Sequence, residues 1–135
     1  MKLFNKDQDD DKEQNVQYIR LDMLKNISNA LASDDFDTAT EWIKNFMNTV
    51  KDNSPPGRKI NAAYNVAMAN YDKGVNIIEH KTQLARDNIL STDTEGYPPT
   101  MYKERKTYRL KKDMLRRLNK ELWTIAFDNE LISLE

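Results

Sequence analysis

Residues 30–50, with the sequence ALASDDFDTATEWIKNFMNTV, decide the fold class of this chain. Apolar side chains recur there at steps of three and four residues, which places them on one side of a helix predicted over 35–52. They are Ala39, Trp42, Ile43, Phe46, Met47 and Val50. The preceding Ser33-Asp34-Asp35 supplies side chains that cap helix N-termini. Because this link is short, the helices on its two sides are predicted to form an antiparallel αα-hairpin.

The helix before the turn is predicted over 13–32 from a second apolar stripe. Its members are Val16, Ile19, Met23, Leu24, Ile27, Ala30 and Leu31. Residues 1–12 have too few apolar side chains to fold alone and are predicted to be a flexible acidic tail. Residues 13–135 are predicted to form a single helical domain, since domains usually contain roughly 100–200 residues.

Two proline-containing segments separate the hairpin from two longer helices. Residues 53–57, NSPPG, precede a third helix that is predicted over 58–90. Residues 91–100, STDTEGYPPT, precede a fourth helix over 101–132, with Thr100 as its N-cap. The apolar stripe of the fourth helix consists of Met101, Tyr108, Leu115, Leu118, Leu122, Ile125 and Ala126. Four amphipathic helices bury their stripes most simply in an all-α, four-helix bundle-like domain.

The composition of the 135 residues excludes several kinds of functional site. With no Cys and three Gly, the chain cannot form disulfides, thiolate metal sites or glycine-rich phosphate loops. No apolar run approaches the roughly 18 residues of a membrane span or forms a signal-peptide core, so we expect a cytoplasmic protein without membrane contact. The abundance of Asn, Asp, Lys and Ile is typical of AT-rich genomes such as those of many phages, for which the location would be a host cytoplasm or a virion.

His80 is the one side chain suited to acid–base catalysis or metal binding near neutral pH, and Glu79 lies beside it. Neighbouring helical residues point about 100° apart, however, and the chain has no second His. Asp7, Asp9 and Asp11 alternate as in a calcium loop, but the required glycine and closing glutamate are missing. We therefore expect no catalytic residue, metal, cofactor or small-molecule substrate, and predict that the chain is not an enzyme.

The net charge of −1 hides an uneven distribution of charged side chains. Residues 1–57 carry 7 basic and 11 acidic side chains, whereas residues 58–135 carry 14 basic and 11 acidic ones. Residues 101–120 concentrate the excess, with nine basic side chains against Glu104 and Asp113. At about 100° per residue, five of these cations fall on the side of the fourth helix opposite its apolar stripe. We call these five residues the basic strip: Arg105, Arg109, Lys112, Arg116 and Lys120.

The basic strip continues into Trp123 and Phe127, an i,i+4 combination that we call the aromatic pair. Arg and Trp are enriched at the centres of protein interfaces, and they also bind phosphates and stack on bases. Three interpretations remain open. The strip is a solvated face or pairs internally with acidic residues 34–37 or the N-terminal Asp cluster, it binds a protein partner or a second copy of the chain, or it binds nucleic acid.

The predicted function is that of a small non-enzymatic interaction, assembly or regulatory protein that binds a partner through the basic strip and the aromatic pair. The alternative is a nucleic-acid-binding accessory protein that places the basic strip on phosphates. Exposure of the aromatic pair would favour a partner, whereas its burial would make the fourth helix an ordinary packing element.

Overall fold

The computed structural model describes residues 19–50, 53–90 and 92–133. Six elements follow one another in these residues: β1 (Ile19–Arg20), α1 (Leu21–Ala32), α2 (Phe36–Thr49), α3 (Pro55–Arg86), α4 (Pro99–Asp128) and β2 (Ile132–Ser133). Four helices that pack against one another confirm the all-α, bundle-like fold class. The predicted tail over 1–12 and the predicted helical residues 13–18 lie outside the described residues.

Helices α1 and α2 form the predicted αα-hairpin. The Asp35 carboxylate caps α2 by accepting a hydrogen bond from the backbone N–H of Thr38 at 3.2 Å. Asp34 reverses the chain with a φ of 57°, a left-handed conformation that Asp tolerates better than most side chains. The hairpin buries Leu24, Ile27 and Leu31 from α1 together with Ala39, Ile43 and Phe46 from α2.

Helix α3 begins at Pro55, three residues earlier than predicted, because the prolines start the helix instead of breaking it. A proline in the first turn lacks only an N–H that would have no helical partner there. Ser54 caps this end, since its Oγ accepts a hydrogen bond from the backbone N–H of Gly57 at 3.0 Å. The other end is shorter than predicted: α3 stops at Arg86, and Asn88 takes a left-handed φ of 60°.

Helix α4 also begins at a proline, Pro99, with Pro98 at the N-cap position. The predicted capping role of Thr100 is therefore wrong, because Thr100 already lies inside the first turn. No side chain of the described residues caps this end, and the carbonyl of Pro98 accepts the first hydrogen bond, from the backbone N–H of Tyr102 at 2.9 Å. The fixed φ of proline preorganises a helix start without a capping side chain.

Both ends of the described chain contain extended residues where helix was predicted. Strands β1 and β2 are parallel, with Ile19 opposite Ile132 and Arg20 opposite Ser133. The prediction of a helix over 13–32 is therefore wrong at residues 19–20. The prediction of a helix over 101–132 is wrong from residue 129 onward. Periodicity could not reveal this, because Ile19 is buried and fits the apolar stripe while its pairing partner lies at the other end of the chain.

The main hydrophobic cluster takes its α4 residues from the C-terminal half of that helix, whereas Tyr102 is buried near the N-terminal end and is not part of this cluster. The buried cluster residues of α4 are Met114, Leu115, Leu118, Leu122 and Ala126. Helix α4 has 30 residues and is about 45 Å long, whereas α1 has 12 residues and spans about 18 Å, so the hairpin covers only part of α4. Met101 and Tyr108 belong to the predicted apolar stripe, but they are 46% and 48% exposed because they precede the part of α4 that enters the core. Tyr108 reaches only the turn end of the hairpin.

Helices α3 and α4 make the most extensive helix–helix contact of the fold. Gly74 of α3 lies against Leu110 of α4, where a Cβ on residue 74 would be 2.6 Å from the Leu110 Cδ2 atom. Glycine inside a helix is less favourable than alanine by about 1 kcal/mol. The close packing of Leu110 against the backbone of Gly74 offsets this cost.

Candidate binding face on helix α4

The basic strip lies on the side of α4 away from Leu118 and Leu122, but the predicted placement opposite the apolar stripe is wrong at Lys112, which lies beside Tyr108 and contacts the turn between α1 and α2. On the packed side, Leu118 and Leu122 are buried, and Asn119 donates a hydrogen bond from Nδ2 to the Ser28 Oγ of α1 at 3.1 Å. All five strip residues are exposed or partly exposed. At a rise of about 1.5 Å per residue they extend along roughly 22 Å of the helix. The strip is therefore one continuous basic surface.

Only one cation of the basic strip forms an ion pair with a described residue. The Nζ atom of Lys112 lies 3.5 Å from Oδ1 of Asp34, in the turn between α1 and α2. The other α4 lysines with described ion pairs, Lys103 and Lys106, lie outside the strip and pair with Glu79 and Glu95. Internal pairing with the acidic turn is thus found for Lys112, while the remaining strip cations have no ion pair among the described residues.

Arg105, at the N-terminal end of the basic strip, stacks on the ring of Tyr97 from the loop before α4. The guanidinium carbon of Arg105 lies 4.3 Å from the centroid of the Tyr97 ring. A cation–π contact at an exposed position contributes about 0.5–1 kcal/mol. The contact restrains the guanidinium group and leaves its N–H donors free to bind a carboxylate or a phosphate.

Asp34, Tyr108 and Lys112 form a small polar cluster that joins α4 to the hairpin turn. The hydroxyl of Tyr108 donates a hydrogen bond to Oδ2 of Asp34 at 2.7 Å, and its ring centroid lies 5.2 Å from that of Phe36. The hydrogen bond from Tyr108, followed by the attraction of Lys112, holds the pKa of Asp34 below its usual value. The same hydrogen bond raises the pKa of Tyr108. Tyr108 therefore attaches α4 to the turn instead of filling the core.

The stability of the fold should depend on pH through the Asp34 cluster. Because the pKa of Asp34 is lower in the folded chain than in the unfolded chain, its stabilising contribution is present above about pH 4 and is lost as pH falls through the folded value. We expect Asp34→Asn, which suits the left-handed backbone, to unfold at lower urea concentration than the wild type at pH 6. This difference should shrink below about pH 4.

The matched control for this prediction is Asp72→Asn, an exposed position of α3 without a described ion pair. It should unfold like the wild type at both pH values, as surface substitutions usually do. A difference between Asp34→Asn and the wild type that stays the same from pH 6 to pH 3 would show that the charge of Asp34 does not stabilise the turn.

A shallow depression of about 650 Å³ lies along the first half of the basic strip. Its lining residues are Glu104, Arg105, Tyr108, Arg109, Lys112 and Asp113. Three of the five strip cations thus line one concave surface together with two carboxylates. Since those carboxylates repel a uniform run of anions, the depression suits separate acidic groups better than a continuous polyanion.

The aromatic pair lies at the C-terminal end of the basic strip. The rings of Trp123 and Phe127 are stacked, with centroids 5.8 Å apart and planes at 25°. Trp123 is partly buried and packs against the core, whereas Phe127 is 57% exposed. The two members of the pair therefore differ: Trp123 is a supporting residue, and Phe127 is the apolar group that solvent and a partner can reach.

Other candidate sites are less developed in the structure. His80 is exposed on α3, and no three acidic or histidine side chains of the described residues are grouped closely enough to hold a metal ion. In the same part of the chain, no helix has the length and apolarity needed to cross a membrane. That the protein is not an enzyme stays a prediction.

Sequence reasoning did not assign Tyr97 and Tyr108 to the binding face. Tyr97 had a local signal, because it precedes α4 by two residues and Arg105 follows two turns later. Tyr108 had none, since its partner Asp34 belongs to a distant part of the sequence and Tyr108 fits the apolar stripe of its own helix. Only the packing of the hairpin on α4 brings Asp34 and Tyr108 together.

No protein-family model matches this chain, and comparison with curated proteins and with solved structures found no match.

Proposed function

We propose that the chain is a non-enzymatic binding protein that engages a protein partner through the basic strip and the aromatic pair. The observation that carries this proposal is a row of five cations that leads directly to the exposed ring of Phe127, and only Lys112 of this row has an ion pair among the described residues. Like charges at i,i+3 and i,i+4 repel one another, so acidic groups of a partner relieve this repulsion. An exposed aromatic ring supplies the apolar anchor that interface hot spots usually contain.

The partner that fits this face is an acidic segment with an apolar side chain at one end. From Arg105 to Phe127 the face is about 33 Å long at the helical rise per residue. An extended segment of about ten residues covers this length. The depression beside the strip, with its two carboxylates, favours acidic side chains that alternate with neutral ones.

Nucleic acid is the second candidate ligand. The stacking of Arg105 on Tyr97 supports it, because a cation and an aromatic ring at one place can bind a phosphate and a base together. The presence of Glu104 and Asp113 in the same depression weighs against a regularly charged backbone. We therefore rank nucleic acid below an acidic protein segment.

The test compares labelled probes by fluorescence anisotropy at 50 mM salt. The probes are a peptide of five Glu-Ser pairs, the same peptide with a terminal Phe, and single- and double-stranded DNA of 20 units. We expect the peptide with Phe to bind most tightly. Arg109→Glu combined with Arg116→Glu should weaken its binding roughly tenfold or more, because two attractions become repulsions.

The control for the charge change is Lys59→Glu combined with Lys81→Glu, two exposed positions of α3 that alter the net charge equally. It should retain peptide binding. If DNA binds more tightly than either peptide and loses affinity steeply at 200 mM salt, the ligand of this face is nucleic acid and not a protein segment. Failure of all probes to bind would contradict the proposal. Unfolding of the Arg109/Arg116 variant would also contradict it, because these two arginines would then be needed for the fold and not for a partner.

A further inference from the structure

The acidic segment at residues 7–13 is opposite in charge to the basic strip. Its sequence, DQDDDKE, contains five acidic side chains and one lysine. These residues lie outside the described structure, which begins at Ile19. Two features decide whether these acidic side chains can reach the strip. They are the position of Ile19 and the length of the segment before it.

The described chain begins next to the C-terminal end of α4. Ile19 is buried, and its backbone N–H donates a hydrogen bond to the carbonyl of Leu131, three residues after α4 ends. Strand β1 runs parallel to β2 with Ile19 opposite Ile132. Because the pairing is parallel and Ile19 bonds to Leu131, the first described residue lies at the end of β1 that is nearest to the residues following α4.

The distances along the two chain segments agree. An extended chain covers about 3.3 Å per residue, so Glu13 lies up to about 20 Å from Ile19 and Asp7 up to about 40 Å. Along the helix, Lys120 is about 12 Å and Arg105 about 35 Å from Asp128, where α4 ends, at about 1.5 Å per residue. An extended chain before Ile19 is therefore long enough for residues 7–13 to reach the strip cations.

We propose that residues 7–13 bind the basic strip of the same molecule and that an acidic partner must displace them. A tethered segment has an effective concentration on the order of millimolar, so individually weak ion pairs suffice to keep it bound for much of the time. Such contacts between solvent-exposed charges weaken as salt is added. The intramolecular contact does not depend on the proposed function, because it requires no partner.

Placement of the segment is tested with a spin label, which the absence of cysteine from the chain makes straightforward. Gln8→Cys introduces one labelling site inside the acidic segment without changing its charge. At 50 mM salt we expect paramagnetic broadening of the backbone amide resonances of Arg109, Lys112 and Arg116. The broadening should fall markedly at 500 mM salt, where the Debye length is less than half as long.

The control for the tether is the same labelled chain with Asp9, Asp10 and Asp11 changed to Asn. Broadening of the strip amides at 50 mM salt should then fall to the level that the parent shows at 500 mM. Absence of salt-sensitive broadening, or equal broadening in the neutralised chain, overturns the proposal. Neither result depends on whether any peptide probe binds.

The consequence for binding is tested separately with the Phe-ended Glu-Ser peptide. Neutralising the three aspartates should tighten peptide binding at least about threefold, because a strip that is free for only a fraction of the time shows an affinity reduced by that fraction. Neutralising Glu41, Asp72 and Asp87 changes the net charge equally and should leave the affinity close to that of the parent. Equal gains in both variants would show a general charge effect and overturn the displacement step.

Discussion

Replacing Phe46 by alanine is expected to lower the free energy of unfolding by about 3–5 kcal/mol. The Phe46 side chain of α2 is fully buried in the hydrophobic core, so its removal leaves a cavity between α2 and the residues packed against it. Domains are usually stable by only about 5–15 kcal/mol, which makes this loss a large part of the total. Urea unfolding followed by far-ultraviolet circular dichroism measures it.

The matched substitution is Phe127→Ala, which removes the same ring from an exposed position of α4. Here we expect a loss of no more than about 1 kcal/mol, mainly from the stacking contact with Trp123. The variant should also lose the preference for the peptide that ends in Phe. Equal destabilisation by the two substitutions, or an unchanged peptide preference, would show that Phe127 is a packing residue and not part of a binding face.

Ile19→Ala is expected to lower the free energy of unfolding by about 2–5 kcal/mol. Ile19 is fully buried although it belongs to a strand of only two residues, and it packs in the same core as Leu122 and Leu131. If β1 is part of the cooperative unit, this truncation destabilises the whole fold in one transition. Urea unfolding at several protein concentrations measures the loss and excludes a contribution from association.

Ile77→Ala is the matched control, since the same side chain is shortened where it is 53% exposed on α3. Its stability should stay within about 0.5 kcal/mol of the wild type, because the higher helix propensity of alanine offsets the contacts that are lost. A loss for Ile19→Ala no larger than that for Ile77→Ala would mean that β1 contributes little to the core.

The pairing of α1 with α2 could be predicted from sequence, although α2 ends at Thr49 and not at the predicted residue 52. Ala39, Ile43 and Phe46 were predicted to share one side of α2, and all three are buried. The cap at Asp35 was also predicted, within the capping segment 33–35. These features depend on helical periodicity and on hydrogen bonds between residues three positions apart, so a short stretch of sequence contains the necessary information.

Helix ends and long-range pairings could not be predicted in this way. Prolines 55 and 99 start helices that were predicted to begin after them, since proline is compatible with the first turn as well as with a break. Met101 and Tyr108 fit an apolar stripe, but both are about half exposed, and Tyr108 contacts only the turn end of the short hairpin. Whether a stripe residue is buried depends on which helix lies opposite it, and spacing within one helix does not contain that information.

The sequence by itself determined four amphipathic helices and a basic strip on one side of the last one, because the helical repeat places residues on a face whatever surrounds it. Only the tertiary structure decided that Lys112 pairs with Asp34, that Trp123 packs on the core and that Phe127 stays exposed. It also decided that Ile19 pairs with Ile132 beside the end of α4. The physical reason is that burial and ion pairing depend on how far each helix extends along its neighbours, which is a property of the assembled fold.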